Sequence, residues 1–262
     1  MRFTAKVSRA VTALALSAVM GLGMTGGVQA APKQDDTART RVRSAVEGGG
    51  WHGEGGLSLS PADNARVDAY LEQAKKAERS ISPQVRAAAV LSAAEVVDFD
   101  HRLKSPNSLK RKVATSMKEN PAKNVDEALA GISDSVRYTL QWPDHRYSAS
   151  VTIASRTLAA WGNDSTKWTN RWGSEKGYRG LNTGWRAPRS GHRFEIQFHT
   201  PMSKWAQQET HKLYEEQRLP TTTPERAKEL QEQQDAIFAM VPVPSGADRL
   251  AAPRLPVPAS VR

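Results

Sequence analysis

Two short stretches carry the residues best suited to chemistry. Gly177-Tyr178-Arg179-Gly180 is a basic, glycine-punctuated loop holding one aromatic ring. Phe194-Glu195-Ile196-Gln197-Phe198-His199-Thr200 alternates apolar and polar residues as a strand does, which puts Glu195 and Gln197 on one face. Together they collect a ring, several cations and a lone carboxylate. That set suits a nucleotide phosphate site better than a protease or glycosidase site, because the cations answer phosphate charge and the carboxylate can hold a metal or receive a proton.

Further polar groups lie upstream. In Arg102-Leu103-Lys104-Ser105-Pro106-Asn107-Ser108-Leu109-Lys110-Arg111-Lys112, the pair Ser105-Pro106 reads as an N-cap followed by proline at the first helical position. Arg102 and Lys104 then sit in the extended approach and Lys112 two turns into the helix, all able to point at one anion. The competing reading is a solvated run of charge. Residues 132–142 alternate as a strand with Val136, Tyr138, Leu140 and Trp142 on one face. Asp134, at its head, can coordinate Mg2+, since hard cations take carboxylate oxygens and retain several waters; taken alone it reads as a turn or capping residue. Lys167, Trp168, Arg171 and Trp172 interleave indoles with cations, a pattern able to stack bases and hold phosphates. His199, Glu209 and His211 lack the spacing of a helical zinc site.

The order Gly177-Tyr178-Arg179-Gly180-Leu181-Asn182, then Glu195-Ile196-Gln197-Phe198-His199-Thr200, then Glu209-Thr210-His211-Lys212-Leu213-Tyr214 resembles the synthetase domain of RelA/SpoT-type nucleotide pyrophosphokinases, and among these the small, secreted bacterial kind. The similarity spans roughly residues 99–218, and its specificity lies in the order and spacing of the motifs. The resemblance implies an α/β fold, a mixed β-sheet flanked by α-helices of the nucleotidyltransferase-like synthetase type. It implies transfer of the β,γ-pyrophosphoryl group of ATP to the 3'-hydroxyl of a purine nucleotide (AMP, ADP, ATP, GDP or GTP), releasing AMP. The ATP donor would be held by Arg102, Lys104 and Lys112, with Arg146, preferred over Arg156, facing the adenine from the side opposite Arg102. Asp134 and Glu195 would hold Mg2+, and Glu195 would also take the hydroxyl proton. The acceptor would be held by Lys167, Lys176, Tyr178, Asn182 and Gln197, with Tyr178 stacked on its base. Two departures bear on acceptor identity: Asn182 stands where the family commonly has histidine, and the residues around Trp168 replace an acidic residue and tyrosine often found after the loop lysine. The segment before Phe99 is short and lacks a histidine/aspartate metal cluster, so the resemblance implies synthesis only.

These residues need elements to position them. Strands are expected near Asp134, Lys167, Leu181 and Phe194. Ser60-Pro61 opens a helix over 61–79 with Val67, Tyr70, Leu71 and Ala74 on one face, and Ser82-Pro83 repeats the start signal for a second helix through Val97. A short helix follows over 124–131. Residues 147–161 are ambiguous, β-branched at Val151, Thr152 and Ile153 but helically spaced at Val151, Ala154, Leu158 and Trp161; the resemblance implies a helix. Residues 202–218 read as a helix with Trp205, Leu213 and Tyr214 in the core, and 223–240 as the last helix. Gly48-Gly49-Gly50-Trp51-His52-Gly53-Glu54-Gly55-Gly56 reads as a flexible linker, with no strand before it and no Walker lysine after it. The proline-rich tail 241–262 is expected to be disordered.

At the start, Arg2, Lys6 and Arg9 precede an apolar run over 10–24, and Val28-Gln29-Ala30 supplies the small residues read by a signal peptidase. Residues 1–30 therefore read as a secretory signal peptide, 31–59 as a flexible segment, 60–240 as one domain (helices 60–98, core 99–218, helix 223–240) and 241–262 as the tail. The protein is accordingly expected outside the cell. No cysteine is present, so packing alone must hold the fold. A formal charge of +10 favours polyphosphates, nucleic acid or anionic surfaces. Nucleic acid is not the expected partner, nor is an obligate protein partner or membrane insertion. Two alternatives stand beside the enzyme: a noncatalytic secreted protein using its charge and tryptophans to bind nucleic acid or anionic cell wall, and an exported toxin that depletes ATP by the same chemistry.

Overall fold

The computed structural model describes residues 49–219 and 221–253. The signal-peptide reading of 1–30, most of the 31–59 segment and the end of the tail lie outside these residues. Strands β3 (Glu95–Val97), β4 (Arg137–Gln141), β5 (Asp164–Asn170), β6 (Leu181–Arg186) and β7 (Arg193–His199) form one sheet in the order β3-β4-β7-β6-β5. Only β4 and β7 run parallel; the other neighbours are antiparallel, so the sheet is mixed as expected.

Strand alternation divides the sheet into two unlike faces. Val136, Tyr138, Leu140 and Trp142, with Phe194, Ile196 and Phe198 of β7 and Leu181 and Trp185 of β6, are buried on one side. Helices α1 (Pro61–Ser92) and α4 (Tyr147–Ala160) cover it, contributing Ile81, Val85, Ala88, Val151, Ala154 and Leu158 to the same core. The ambiguous segment after β4 is thus a helix. The opposite face carries Arg137, Thr139, Asn182, Glu195 and Gln197, aligned across three strands.

Helix α1 differs from expectation, running unbroken through Pro83 for 32 residues instead of stopping and restarting. Its buried positions Val67, Leu71, Ala74, Ala77, Ile81, Val85 and Ala88 keep helical spacing across the proline. Beyond the proline, burial of Val85 is worth roughly 1.5–3 kcal/mol, and with Ala88 and Ala89 in the same core it offsets the proline's cost of about 3 kcal/mol. Ser82 does not cap a helix; its hydroxyl meets Glu78 and Tyr138 inside the fold.

The glycine-rich stretch is a hairpin and not a loose linker. Strand β1 (Trp51–His52) pairs antiparallel with β2 (Ser58–Leu59), and Gly55 and Gly56 turn the chain at φ 68° and 69°, a region that glycine enters without steric cost. The hairpin is fastened to helix α2 (Pro106–Glu119), where Trp51 Nε1 donates to Asn107 Oδ1 at 3.0 Å and Lys118 Nζ to the Gly55 carbonyl at 2.9 Å. With α2, the first turns of α1 and the short helix α3 (Val125–Ala130), it encloses a smaller core around Val67, Leu109, Val113 and Leu129.

Helix α5 (Pro201–Gln217) turns a different face inward than expected: Ser203, Ala206 and Thr210 are buried, while Trp205 and Tyr214 are exposed. Small residues let the helix sit close to the polar sheet face. Helix α6 (Pro224–Ala239) packs beside it. The tail does not leave the fold at residue 241. Val241 and Ala247 are buried, and the carbonyls of Ala247 and Leu250 accept from Asn170 Nδ2 and Trp168 Nε1 at 2.8 and 2.9 Å. The strap can cover the edge strand this way because its N–H groups at Ala247, Arg249 and Leu250 are satisfied in its own turns while its carbonyls accept from β5 side chains. Among the described residues no helix is long and apolar enough to cross a membrane.

Candidate active site on the polar sheet face

The parallel pairing of β4 with β7 assembles the site. Just before β4 the chain pairs with the approach to α2: Leu103 bridges Val136, Lys104 N donates to the Ser135 carbonyl, and Arg137 N donates to the Arg102 carbonyl. This brings Lys104 beside Asp134. Ser105 caps α2 by accepting from Ser108 N, which sends Lys112 to the same place. Lys104 Nζ and Lys112 Nζ each stand 2.9 Å from a different Asp134 oxygen. Burial alone would raise the Asp134 carboxyl, but the two ammonium groups outweigh it and hold the group down to about 2.

Glu195 lies across from Arg137 on β4 and Gly184 on β6. The missing side chain at Gly184 leaves its flank open, and a Cβ there would crowd Lys167 at 3.1 Å. Burial, then the negative charge of Asp134, pushes Glu195 up, opposed by a hydrogen bond from Gln197 and by the charges of Arg137 and Lys112. Glu195 is not paired with Arg193 or Lys204, as an ordinary surface carboxylate on this strand would be: Arg193 donates to the Ala130 carbonyl, and Lys204 pairs with Asp98. Asp134 and Glu195 are thus two coupled carboxylates of opposite tuning.

Two carboxylates with no third metal-ligating side chain beside them among the described residues fit Mg2+, which binds through one or two carboxylates and completes its shell with water and phosphate oxygens. Their mutual repulsion is the condition a divalent cation relieves.

The other expected residues are distributed unevenly. Arg102 is not brought to Asp134: its Nε donates to Glu78 at 2.6 Å and its guanidinium lies 4.3 Å from the centre of the Phe99 ring. Arg146 is exposed in the turn after the C-terminal end of β4, the opposite end from Asp134. Lys167 projects from β5 beside Gly184, and Lys176 is exposed in the loop before Gly177. Asn182 and Gln197 are register partners on the polar face. Tyr178 donates to Asn182 Oδ1 at 2.8 Å and also meets His199 Nε2 at 3.0 Å, with its ring edge-on to His199 and Phe238. Burial, then the Glu195 charge, raises the phenol, so it remains protonated. Burial also lowers His199, to about 3, keeping that imidazole neutral.

The indoles do not form a base-stacking surface. Trp172 is fully buried, its Nε1 donating to Tyr147 Oη at 2.8 Å, and Trp168 is tied to the tail strap. Arg137 is the residue the sequence reading passed over. It shares the face with Glu195 and, with Thr139, Val97, Asp98, His101 and Lys204, lines a cavity of about 300 Å3. The signal was present, since the alternation that turns Val136 and Tyr138 inward turns Arg137 and Thr139 to the other side.

No protein-family model matches the chain, and no curated protein aligns with it by sequence. Solved structures do. The chain is similar to small alarmone synthetase 1 from Bacillus subtilis bound to its product pppGpp, with 16% identity, 67% of this chain and 93% of that one covered, and a TM-score of 0.49. It is similar to smu.1046c from Streptococcus mutans UA159, with 16% identity, coverage of 66% and 89%, and a TM-score of 0.49. A GTP pyrophosphokinase family protein from Streptococcus pneumoniae gives 14% identity, coverage of 67% and 90%, and a TM-score of 0.44. At such low identity the chemistry of this chain is read from its own side chains.

Proposed function

We propose that the protein is an exported nucleotide 3'-pyrophosphokinase that moves the β,γ-pyrophosphoryl group of ATP to the 3'-hydroxyl of a purine nucleotide and releases AMP. The observation that supports this most is the coupled pair Asp134 and Glu195, one held ionised by two lysines and the other raised by burial and by its neighbour's charge, on the polar sheet face. The motif order stated above points the same way. Pyrophosphoryl transfer needs in-line placement and charge neutralisation more than covalent help from protein.

In this reading Lys104 and Lys112 exchange Asp134 for the donor phosphates. Mg2+ held by Asp134 and Glu195 would neutralise charge on the triphosphate. Arg137, next to the cavity, adds a cation that the motif comparison did not assign. Glu195, raised by burial and by Asp134, accepts the proton of the attacking hydroxyl, as a base tuned upward does best near neutral pH. Asn182 and Gln197 face the acceptor from β6 and β7, and Lys167 and Lys176 supply charge for its phosphates. Tyr178, bonded to Asn182 and edge-on to His199 and Phe238, would support the acceptor side through Asn182.

The test is to incubate the protein lacking residues 1–30 with ATP, Mg2+ and each of AMP, ADP, GDP and GTP, following AMP release and product mass. A product heavier than the acceptor by one pyrophosphoryl group, formed with equimolar AMP, is expected. ATP left intact with every acceptor, or hydrolysed without transfer, refutes the assignment.

A further inference from the structure

A chain of hydrogen bonds runs from α5 to Glu195, and its two ends dictate its direction. Lys204 Nζ donates to Gln207 Oε1 at 3.2 Å, Gln207 Nε2 donates to Gln197 Oε1 at 3.1 Å, and Gln197 Nε2 donates to Glu195 Oε1 at 2.7 Å. An ammonium only donates, and an ionised carboxylate only accepts. Each amide between them therefore has a single orientation, carbonyl toward the lysine and NH2 toward Glu195. Lys204 is itself fixed, its Nζ 2.9 Å from Asp98 and its side chain only 12% exposed. Gln197 is 7% exposed, so neither of its amide groups can readily exchange its partner for water. Among the described residues Glu195 Oε2 carries no hydrogen bond.

We infer that Lys204 and Gln207 are positioning residues for Glu195. Acting through Gln197, they occupy Oε1 and turn Oε2 toward the open polar face. The inference rests on the reading of Glu195 as the carboxylate that receives the hydroxyl proton. Lys204 also lines the cavity beside Arg137, so the relay begins in the wall of the space next to the carboxylate it orients. A purely structural role for these amides makes a different prediction. It requires lost stability with unchanged turnover per folded molecule, and it makes glutamate at 207 mild, because glutamate keeps the bond to Lys204.

The experiment compares Gln207→Leu, Gln207→Glu, Gln197→Leu and the Gln197→Leu/Gln207→Leu double variant for AMP release at saturating ATP and acceptor. The Gln197 side-chain amide protons are followed in parallel by NMR. Gln207→Leu is expected to lower kcat about tenfold with KM for ATP within about twofold, since it removes two hydrogen bonds, one of them to the charged Lys204. Gln207→Glu is expected to fall further, because its carboxylate accepts from both Lys204 and the Gln197 amide and so turns the Gln197 carbonyl toward Glu195. The double variant should be no slower than Gln197→Leu, since the relay is already cut. Losses that multiply in the double variant, a Gln207→Glu variant faster than Gln207→Leu, or Gln197 amide signals unmoved in Gln207→Leu each overturn the inference. Wild-type protein that releases no AMP overturns the pyrophosphokinase reading instead, and the amide signals then decide alone whether the relay exists.

Discussion

Replacing Asp134 by asparagine is expected to destabilise the fold near neutral pH and to do almost nothing in acid. Its carboxylate oxygens each meet a lysine at 2.9 Å, and the group is held at about 2 against an ordinary 3.8. Burial is the largest single influence and works against the ionised form, so this depression is what survives desolvation. Nearly two pH units correspond to roughly 2 kcal/mol. Because the folded value lies below the unfolded one, the unfolded chain takes up the proton first as pH falls. The stabilisation is therefore complete above about pH 4 and disappears as pH falls through about 2. For a domain of this size roughly 2 kcal/mol amounts to about 4–8 °C in Tm. Urea unfolding of wild type and Asp134→Asn in metal-free buffer, from about pH 7 down to about pH 3, measures it. A difference that shrinks with acid supports the double lysine pairing. No difference at neutral pH, or one that is constant across the series, refutes it.

Glu195→Gln should do the reverse to stability while abolishing function. Burial and then Asp134 raise the Glu195 carboxyl, so its ionised form costs stability that grows as pH rises through the raised value. Calorimetry should show a higher Tm at neutral pH, with AMP release lower by about 100-fold or more; unchanged turnover refutes its role as base. In Gly180→Ala the new Cβ would lie 2.6 Å from the Tyr178 hydroxyl and 2.9 Å from the ring carbon that bears it. It should displace Tyr178 from Asn182 and raise KM for the acceptor while sparing KM for ATP; initial-rate kinetics with each substrate varied would reveal equal effects if the reasoning is wrong. Trp172→Phe should cost about 1–3 kcal/mol, measured by urea unfolding, because the Tyr147 hydroxyl loses the indole donor. AMP release per folded molecule should stay near wild type, and its collapse would return Trp172 to the nucleotide.

Where a pattern repeats along one element, the sequence was readable. The alternation through 136–142 and 194–199 placed apolar residues in the core and Glu195 and Gln197 on the free face, and the capped start of α2 put Lys112 with Lys104. What escaped reading depends on partners distant in sequence. The proline at 83 looked like a boundary because the core that holds α1 straight through it comes from strands and helices much later in the chain. Arg102 was read as free to meet an anion, but Glu78 on α1 claims it. The inward face of α5 was misjudged because bulk suggested burial for Trp205 and Tyr214, whereas close approach to a polar sheet face selects Ser203, Ala206 and Thr210. Prolines suggested a disordered tail, yet among its described residues Ala247–Arg249 forms a short helical turn, and the segment is fastened by the side chains of Trp168 and Asn170.

The two carboxylates belong to segments about sixty residues apart, joined by the sheet's single parallel pair. Such distant pairings close late, after local helices and hairpins have formed, because loop-closure entropy must be met first. A chain in which β7 has not yet been laid beside β4 therefore has no assembled carboxylate pair, so the site comes into being only with the completed sheet.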